Sequence, residues 1–320
     1  MTQTIQESIW VITLLGRTGV QHALAPVAAI LKAQGLLVDR IEALSGSHGP
    51  SEPSPSQTSS SAYACAELHT HGELRDEREM RAALLTLGDE RGVDVAFQRE
   101  SEFRRDRRLF IFDMDSTLIQ GEVIDELAKM AGVADRVVAI TALAMRGEIE
   151  FQESFRRRVA LLAGLPEARI YELLERIPLM EGAERLFRTL KKLGARTAIL
   201  SGGFTFFGGY LKEKLGADYV FANELDLADG FVTGEVKGRI VDGLRKAELL
   251  VEITGLEGIP LEQVVAVGDG ANDLPMLRLA GMGVTFHAKP IVRASSAHSV
   301  THLGLDALLY LVGVPDWEWA

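Results

Sequence analysis

Three short apolar runs constrain this chain more than anything else in it. LFIF (109–112), TAIL (197–200) and VVAV (264–267) are unbroken by charged residues, and each stops at small or acidic ones. A strand with one wet face would alternate. Continuously apolar strands separated by helical segments predict a parallel sheet covered on both faces. The intervening stretches fit: GAERLFRTLKKLG, FTFFGGYLKEKLG and RKAELLVEITG have helical spacing, and DYVFAN and GVTF read as further strands. In such a sheet the ligand crevice lies outside the carboxyl ends of the strands. Function is therefore expected in the residues just beyond the three runs: DMDST, SGG and GDGAND.

If the three strands are neighbours, their ends bring together Asp113, Asp115 and Asp269, the Ser201 hydroxyl, glycine-turn N–H groups and Asn272. Carboxylates at the mouth of a core are costly unless a cation and hydrogen bonds compensate them. A hard divalent cation such as Mg2+, taking oxygen ligands beside a phosphate held by backbone N–H groups, meets that need.

Elsewhere, residues 122–180 are helical in pattern and read as an insertion after the first of these strands. Upstream, WVITLLG, LLVDRIEAL, YACAELHTHG and VDVAFQRES read as strands around two helices, VQHALAPVAAILKAQG and DEREMRAALLTLGDERG. The order βαββαβ suits a small ferredoxin-like sandwich with both helices on one face of an antiparallel sheet. The Ser/Pro-rich stretch at 45–62 reads as a flexible loop, and FRRDRR at 103–108 as a solvated linker. His69 and His71 share one strand face without a third ligand and read as surface residues, Cys65 as a small core residue, and the tryptophans of VPDWEWA as pins for the C-terminus.

Size and charge narrow the class. A length of 320 residues with 47% hydrophobic content suits two domains with sizeable cores. A net charge of −11 argues against a nucleic-acid backbone binder and for small-molecule partners. The single cysteine excludes an internal disulfide and a multi-cysteine zinc site. Without a basic leader or a membrane-length apolar run, the expectation is a cytoplasmic protein with no membrane partner.

The ordered set DMDST, LSGG, Lys246 and GDGAND resembles the haloacid dehalogenase-like superfamily. From about residue 107 onward, with the cap segment EVIDELAKMAG…FQESFRRRV and the later GVTFHAKP, the chain is similar to its phosphoserine phosphatase branch. The resemblance implies an α/β fold, a Rossmann-like doubly wound parallel sheet over 107–320 with a helical cap at about 122–180. It implies Asp113 as nucleophile, Asp115 as general acid and base, and Lys246 as a fixed charge near both nucleophile and phosphate. Ser201, the Gly202 N–H and Asn272 would hold phosphate oxygens, and Asp113, Asp269 and the backbone carbonyl of Asp115 would hold Mg2+. Asp273 would orient Lys246 or a metal-bound water, and Glu122 and Arg158 would bind the ammonium and carboxylate of phosphoserine. Phe151 and Met145 would wall the pocket. A phosphatase or phosphotransferase for another small phosphomonoester stays open, as does an amino-acid sensor with an inert phosphatase fold. Residues 1–101 resemble an ACT-like module, but LLGRTGV lacks the acidic residue usual before the glycine. The expectation is a domain that supports a homodimer, with serine acting chiefly as a competing product in the active site.

Overall fold

In the computed structural model, residues 10–46 and 63–320 are described. The first part runs β1 (Trp10–Gly16), α1 (Val20–Ala33), β2 (Leu36–Ala43), β3 (Ala64–Gly72), α2 (Glu77–Arg91) and β4 (Asp94–Arg99). The strands form an antiparallel sheet in the order β2-β3-β1-β4, that of a split βαβ sandwich. Trp10, Ile12 and Leu14 alternate onto one face and pack with Val27, Leu31, Met80 and Leu84 of the two helices. Asp76 starts α2 by accepting a hydrogen bond from the Glu79 N–H at 2.9 Å, and Gly92, at φ 64°, ends it in the left-handed region.

The second part continues with β5 (Leu109–Phe112), α3 (Val123–Met130), α4 (Ala134–Met145), α5 (Phe151–Ala160), α6 (Glu167–Tyr171), α7 (Ala183–Lys192), β6 (Arg196–Phe204) and α8 (Thr205–Leu215). After these come β7 (Tyr219–Ala228), β8 (Phe231–Lys237), α9 (Gly243–Glu257), β9 (Val264–Gly268), α10 (Leu274–Leu279), β10 (Met282–Phe286), α11 (Pro290–Arg293), β11 (His298–Val300) and α12 (Ala307–Leu311). The seven strands lie in the order β11-β10-β9-β5-β6-β7-β8. β5 pairs in parallel with β9 on one side and β6 on the other, so the three apolar runs are neighbours and their carboxyl ends share one rim. Phe110 and Phe112 pack into one core, while Leu109 and Ile111 pack against Leu249, Leu250 and Ile253 of α9 on the other face. Burial on both faces is what unbroken apolar strands require.

Several expectations are corrected. The connector at 103–108 is not a solvated linker: Arg104 is 3% exposed and ion-paired with buried Glu67 of β3. Arg105 Nε donates to the Gly313 carbonyl at 2.7 Å, and Arg107 donates to the Glu262 carbonyl. The cause is the second face of the N-terminal sheet. Leu15, Cys65 and Ala96 on that face join the core of the C-terminal part, so Glu67 is enclosed and Arg104 is its counterion. The same enclosure leaves His69 3% exposed, 3.5 Å from Glu42 and 3.6 Å from Glu100, rather than on the surface. His71 is partly exposed and hydrogen-bonds Asp39.

The β7–β8 hairpin was not anticipated. Its turn is Asp229-Gly230, with φ of 51° and 80°, the two-residue turn that an Asp-Gly pair favours. Of the tryptophans near the end, Trp319 is pinned, its ring 4.8 Å from Tyr310 and its indole N–H donating to the Val314 carbonyl at 3.2 Å, whereas Trp317 is 43% exposed. The Ser/Pro-rich stretch lies, from residue 47 onward, outside the described residues. No helix among the described residues is long and apolar enough to cross a membrane.

Candidate active site

Asp113 stands directly beyond β5 and is 4% exposed. Its N–H donates to the Val267 carbonyl at 2.9 Å, which ties it to β9, and its Oδ1 accepts the Met114 N–H at 2.7 Å. Lys246 approaches from α9 with no exposed surface, its Nζ 2.7 Å from Asp113 Oδ1 and 2.7 Å from Asp273 Oδ1. Asp242 caps α9 by accepting the Arg245 N–H at 2.9 Å, so the helix bearing the lysine starts at a defined point. Asp273 also accepts the Gly270 N–H at 3.0 Å, and a side chain at Gly268 would collide with it.

Asp113, Asp269 and Asp273 offer carboxylate oxygens that lie within 4.8 Å of one another. Burial, then Asp273, raises Asp113 well above the ordinary carboxylate range, and the same two causes bring Asp269 to about 7. Burial alone would lower Lys246, but Asp113 and Asp273 outweigh it and hold the ammonium charged. Three carboxylates facing one cation leave negative charge in excess. An all-oxygen donor set with that excess fits a hard divalent cation.

The Asp115 side chain lies outside this group. Its Oδ1 accepts the Val123 N–H at the start of α3 at 2.8 Å, and its Oδ2 is 3.4 Å from Ser201 Oγ. Burial, then Glu122, brings it to about 7. Ser201 is 1% exposed, and its Oγ accepts the Gly203 N–H at 2.8 Å. A Cβ at Gly203 would run into Asp115 Oδ2 and Met114, so only glycine lets the two strand ends approach this closely.

Asn223 of β7 was missed in the sequence. Its Nδ2 donates to the carbonyls of Gly202 at 2.8 Å and Gly203 at 3.2 Å, and its Oδ1 accepts the Val241 N–H at 2.8 Å. It thereby fixes the turn after β6. The only available signal was an asparagine ending an apolar run. Asn272 is half-buried, its Nδ2 3.3 Å from Asp273 Oδ1.

The helical insertion closes over this rim. Glu122 accepts the Ser116 hydroxyl at 2.9 Å, and Ser116 takes a left-handed φ of 56° to turn the chain there. Arg158 projects from α5 into the field of Glu122, Asp125 and Asp115, and its Nε is buried without a hydrogen-bond partner among the described residues. Phe151 packs over Gly202, close enough that a Cβ there would stand 3.2 Å from the ring, and continues to Phe155 with centroids 6.1 Å apart. Met145 is 65% exposed, so of the two expected wall residues only Phe151 is packed. The crevice thus joins a buried carboxylate on a fixed cation, a second carboxylate that holds a proton near neutrality, and glycine turns suited to an anion.

The family model for haloacid dehalogenase-like hydrolases matches residues 110–278. The phosphoserine phosphatase of Archaeoglobus fulgidus is 47% identical over 241 residues, covering 75% of this chain and 70% of that protein. The phosphoserine phosphatase of Streptomyces coelicolor is 41% identical over 307 residues, covering 96% and 71%. The crystal structure of a HAD-family hydrolase from Salmonella enterica serovar Typhi is similar at a TM-score of 0.81 and 30% identity, covering 96% of this chain and 99% of that one.

Proposed function

The chain belongs to the haloacid dehalogenase-like hydrolase family, and on that premise we propose that it is a phosphoserine phosphatase, releasing L-serine and phosphate from O-phospho-L-serine. The observation that carries the reading is the pairing of Asp113 with Lys246 at 2.7 Å beside an Asp115 that holds a proton near pH 7.

Asp113 Oδ1 is occupied by Lys246 and the Met114 N–H, which leaves Oδ2 as the attacking oxygen. It forms a bond to phosphorus as the bond from phosphorus to the serine oxygen breaks, and the Asp115 carboxyl gives its proton to that departing oxygen. The product is an aspartyl phosphate. Asp115, now a carboxylate, takes a proton from water, whose oxygen attacks the same phosphorus and returns Asp113 as a carboxylate. Lys246 draws Asp113 toward its ionised form against burial and its acidic neighbours, and Ser201, the Gly202 N–H and Asn272 hold the phosphoryl oxygens. Asp113, Asp269 and the Asp115 carbonyl would hold Mg2+, with Asp273 beside them. The ion supplies positive charge that offsets the repulsion between an anionic nucleophile and an anionic ester.

Specificity rests on Arg158 and Glu122. The Nε without a partner suits a carboxylate, and the Glu122 carboxylate suits an ammonium. The stretch from 1 to 101 forms an ACT-like domain that supports a homodimer, and 107–320 forms the phosphatase with its cap at about 122–180. Phosphate release from a panel of phosphorylated amino acids, sugars and nucleotides with magnesium tests the reading: phosphoserine is expected to lead by kcat/KM, and a sugar or nucleotide leading instead would overturn it.

A further inference from the structure

Away from the crevice, the outer edge of β4 faces the chain entering β5 and the start of β11 across a cleft of about 240 Å³. Trp10 lies along its wall and stacks on Phe97 at 4.4 Å between centroids. Arg99 lies over the Trp10 ring at 4.6 Å, and Arg81 over the Phe97 ring at 5.2 Å. Arg107 and His298 complete the lining from the other side. The acid in the cleft, Glu77, is engaged by Arg81 at 2.8 and 3.0 Å. Arg81 spends its remaining bonds on the carbonyls of Phe97, at 2.9 Å, and Ala297, at 2.8 Å.

Arg99 and Arg107 are different. Among the described residues neither forms an ion pair; Arg107 gives one N–H to the Glu262 carbonyl, and its Nε and His298 Nδ1 are buried without any hydrogen-bond partner. Unpaired guanidiniums gathered in a half-enclosed cleft are unusual on a chain of net charge −11. The field of Arg107, with that of Arg81, reaches the neighbouring imidazole: burial, then Arg81 and Arg107, lowers His298 to about 3. Aromatic stacking holds Arg81 and Arg99 in place, so an incoming anion meets guanidiniums that have already lost much of their freedom.

We propose that this cleft is a second ligand site, for a small dianion that bridges Arg99 and Arg107 across the junction of the two sheets. A single carboxylate would leave one guanidinium unneutralised, whereas a dicarboxylate or a phosphate can accept from both. The site is distinct from the crevice beyond β5, and its occupant ties α2 and β4 to the chain entering β5 and to β11.

Calorimetric titration of the full chain with malonate, and separately with inorganic phosphate, tests this. A Ser201→Ala/Arg158→Ala background removes anion contacts in the crevice. Saturable binding of one equivalent is expected there, from phosphate alone if the site requires a phosphoryl group and from both probes if any dianion serves. Arg99→Gln/Arg107→Gln in that background is expected to weaken it at least tenfold. Arg99→Gln alone, at an exposed position, is expected to weaken it at least threefold with an unchanged circular dichroism spectrum. Absence of saturable binding of either anion, or affinity unchanged by the Arg99 and Arg107 substitutions, overturns the proposal.

Discussion

Lys246 holds its ammonium 2.7 Å from Asp113 Oδ1 while exposing none of its own surface. A fully enclosed lysine is tolerable only because Asp113 and Asp273 both face it. The relationship is reciprocal, since Lys246 lowers Asp113 against the burial and the Asp273 and Asp269 charges that raise it. Lys246→Ala removes the fixed cation and raises the nucleophile further, favouring its protonated form. Its kcat on phosphoserine is expected to fall on the order of 10²–10³-fold, read in steady-state phosphate release at saturating magnesium.

In the proposed mechanism Asp115 acts on the leaving group, so its loss should depend on what leaves. With phosphoserine, Asp115→Asn is expected to slow turnover by about 10²–10⁴-fold, the usual scale of general acid–base catalysis. An aryl phosphate expels a phenolate that needs no proton. The same variant should therefore still give a burst of p-nitrophenol from p-nitrophenyl phosphate, followed by a slow steady state as the aspartyl phosphate waits for a base. Equal slowing of burst and steady state would count against the assignment.

How much of this was readable in advance depended on whether a feature's cause lay in its own stretch of chain. β5, β6 and β9 were legible because burial on both faces writes itself as an unbroken apolar run, and the crevice was legible because those runs end in its residues. Asn223 was not, since its hydrogen bonds to Gly202 and Gly203 depend on a register shift between β6 and β7. The hairpin turn at Asp229-Gly230 was written in the sequence and overlooked. Arg104 looked like any member of a basic run, because its partner Glu67 lies on a strand expected to have a wet face. That face is covered by a core including Leu311 and Val314, far along the chain.

The acidic cluster also predicts a linkage between protons and metal. Asp269 titrates near 7 without a cation, against about 3.9 for a free aspartate. Folded metal-free protein thus holds a proton that the unfolded chain has released, so this contribution to stability is full below about pH 4 and is lost as pH rises through 7. A divalent cation displaces that proton. The rise in Tm on saturation with Mg2+ should be larger at pH 7.5 than at pH 5.5, and calorimetry in two buffers at pH 6.5 should register net proton release. Comparing bound with free protein at each pH cancels His298, which acts in the opposite sense. Buried neutral, with its pKa lowered to about 3, it contributes fully above about pH 6.5 and loses that contribution as pH falls toward 3.

The Glu67–Arg104 pair joins the N-terminal sheet to the connector, with Thr13 Oγ1 also donating to Glu67 Oε1 at 3.2 Å. Removing one member of a buried pair strands the other charge. Arg104→Ala is expected to cost about 3–5 kcal/mol in urea unfolding, and Glu67→Leu/Arg104→Met markedly less, because no lone charge then remains buried. A double variant as unstable as the single one would mean that Arg104 acts through packing of its stem.

With Arg158 in the proposed role, recognition of the amino acid is separate from recognition of the phosphoryl group. It stands on α5, in the helical insertion, while Ser201, Gly202 and Asn272, the proposed phosphoryl contacts, belong to the rim of the parallel sheet. Its guanidinium is held among Glu122, Asp125 and Asp115, and its buried Nε lacks a partner among the described residues. A carboxylate arriving there makes a charge-assisted contact worth about 1.5–3 kcal/mol. Arg158→Ala should then raise KM for phosphoserine by roughly 10- to 150-fold, with kcat/KM for p-nitrophenyl phosphate within about threefold of the parent. Lysine at this position should restore part of the loss, because it returns the charge without the two-pronged geometry. If both substrates suffer alike, Arg158 is holding the helical insertion in place through its stem, and the carboxylate of the substrate is read elsewhere.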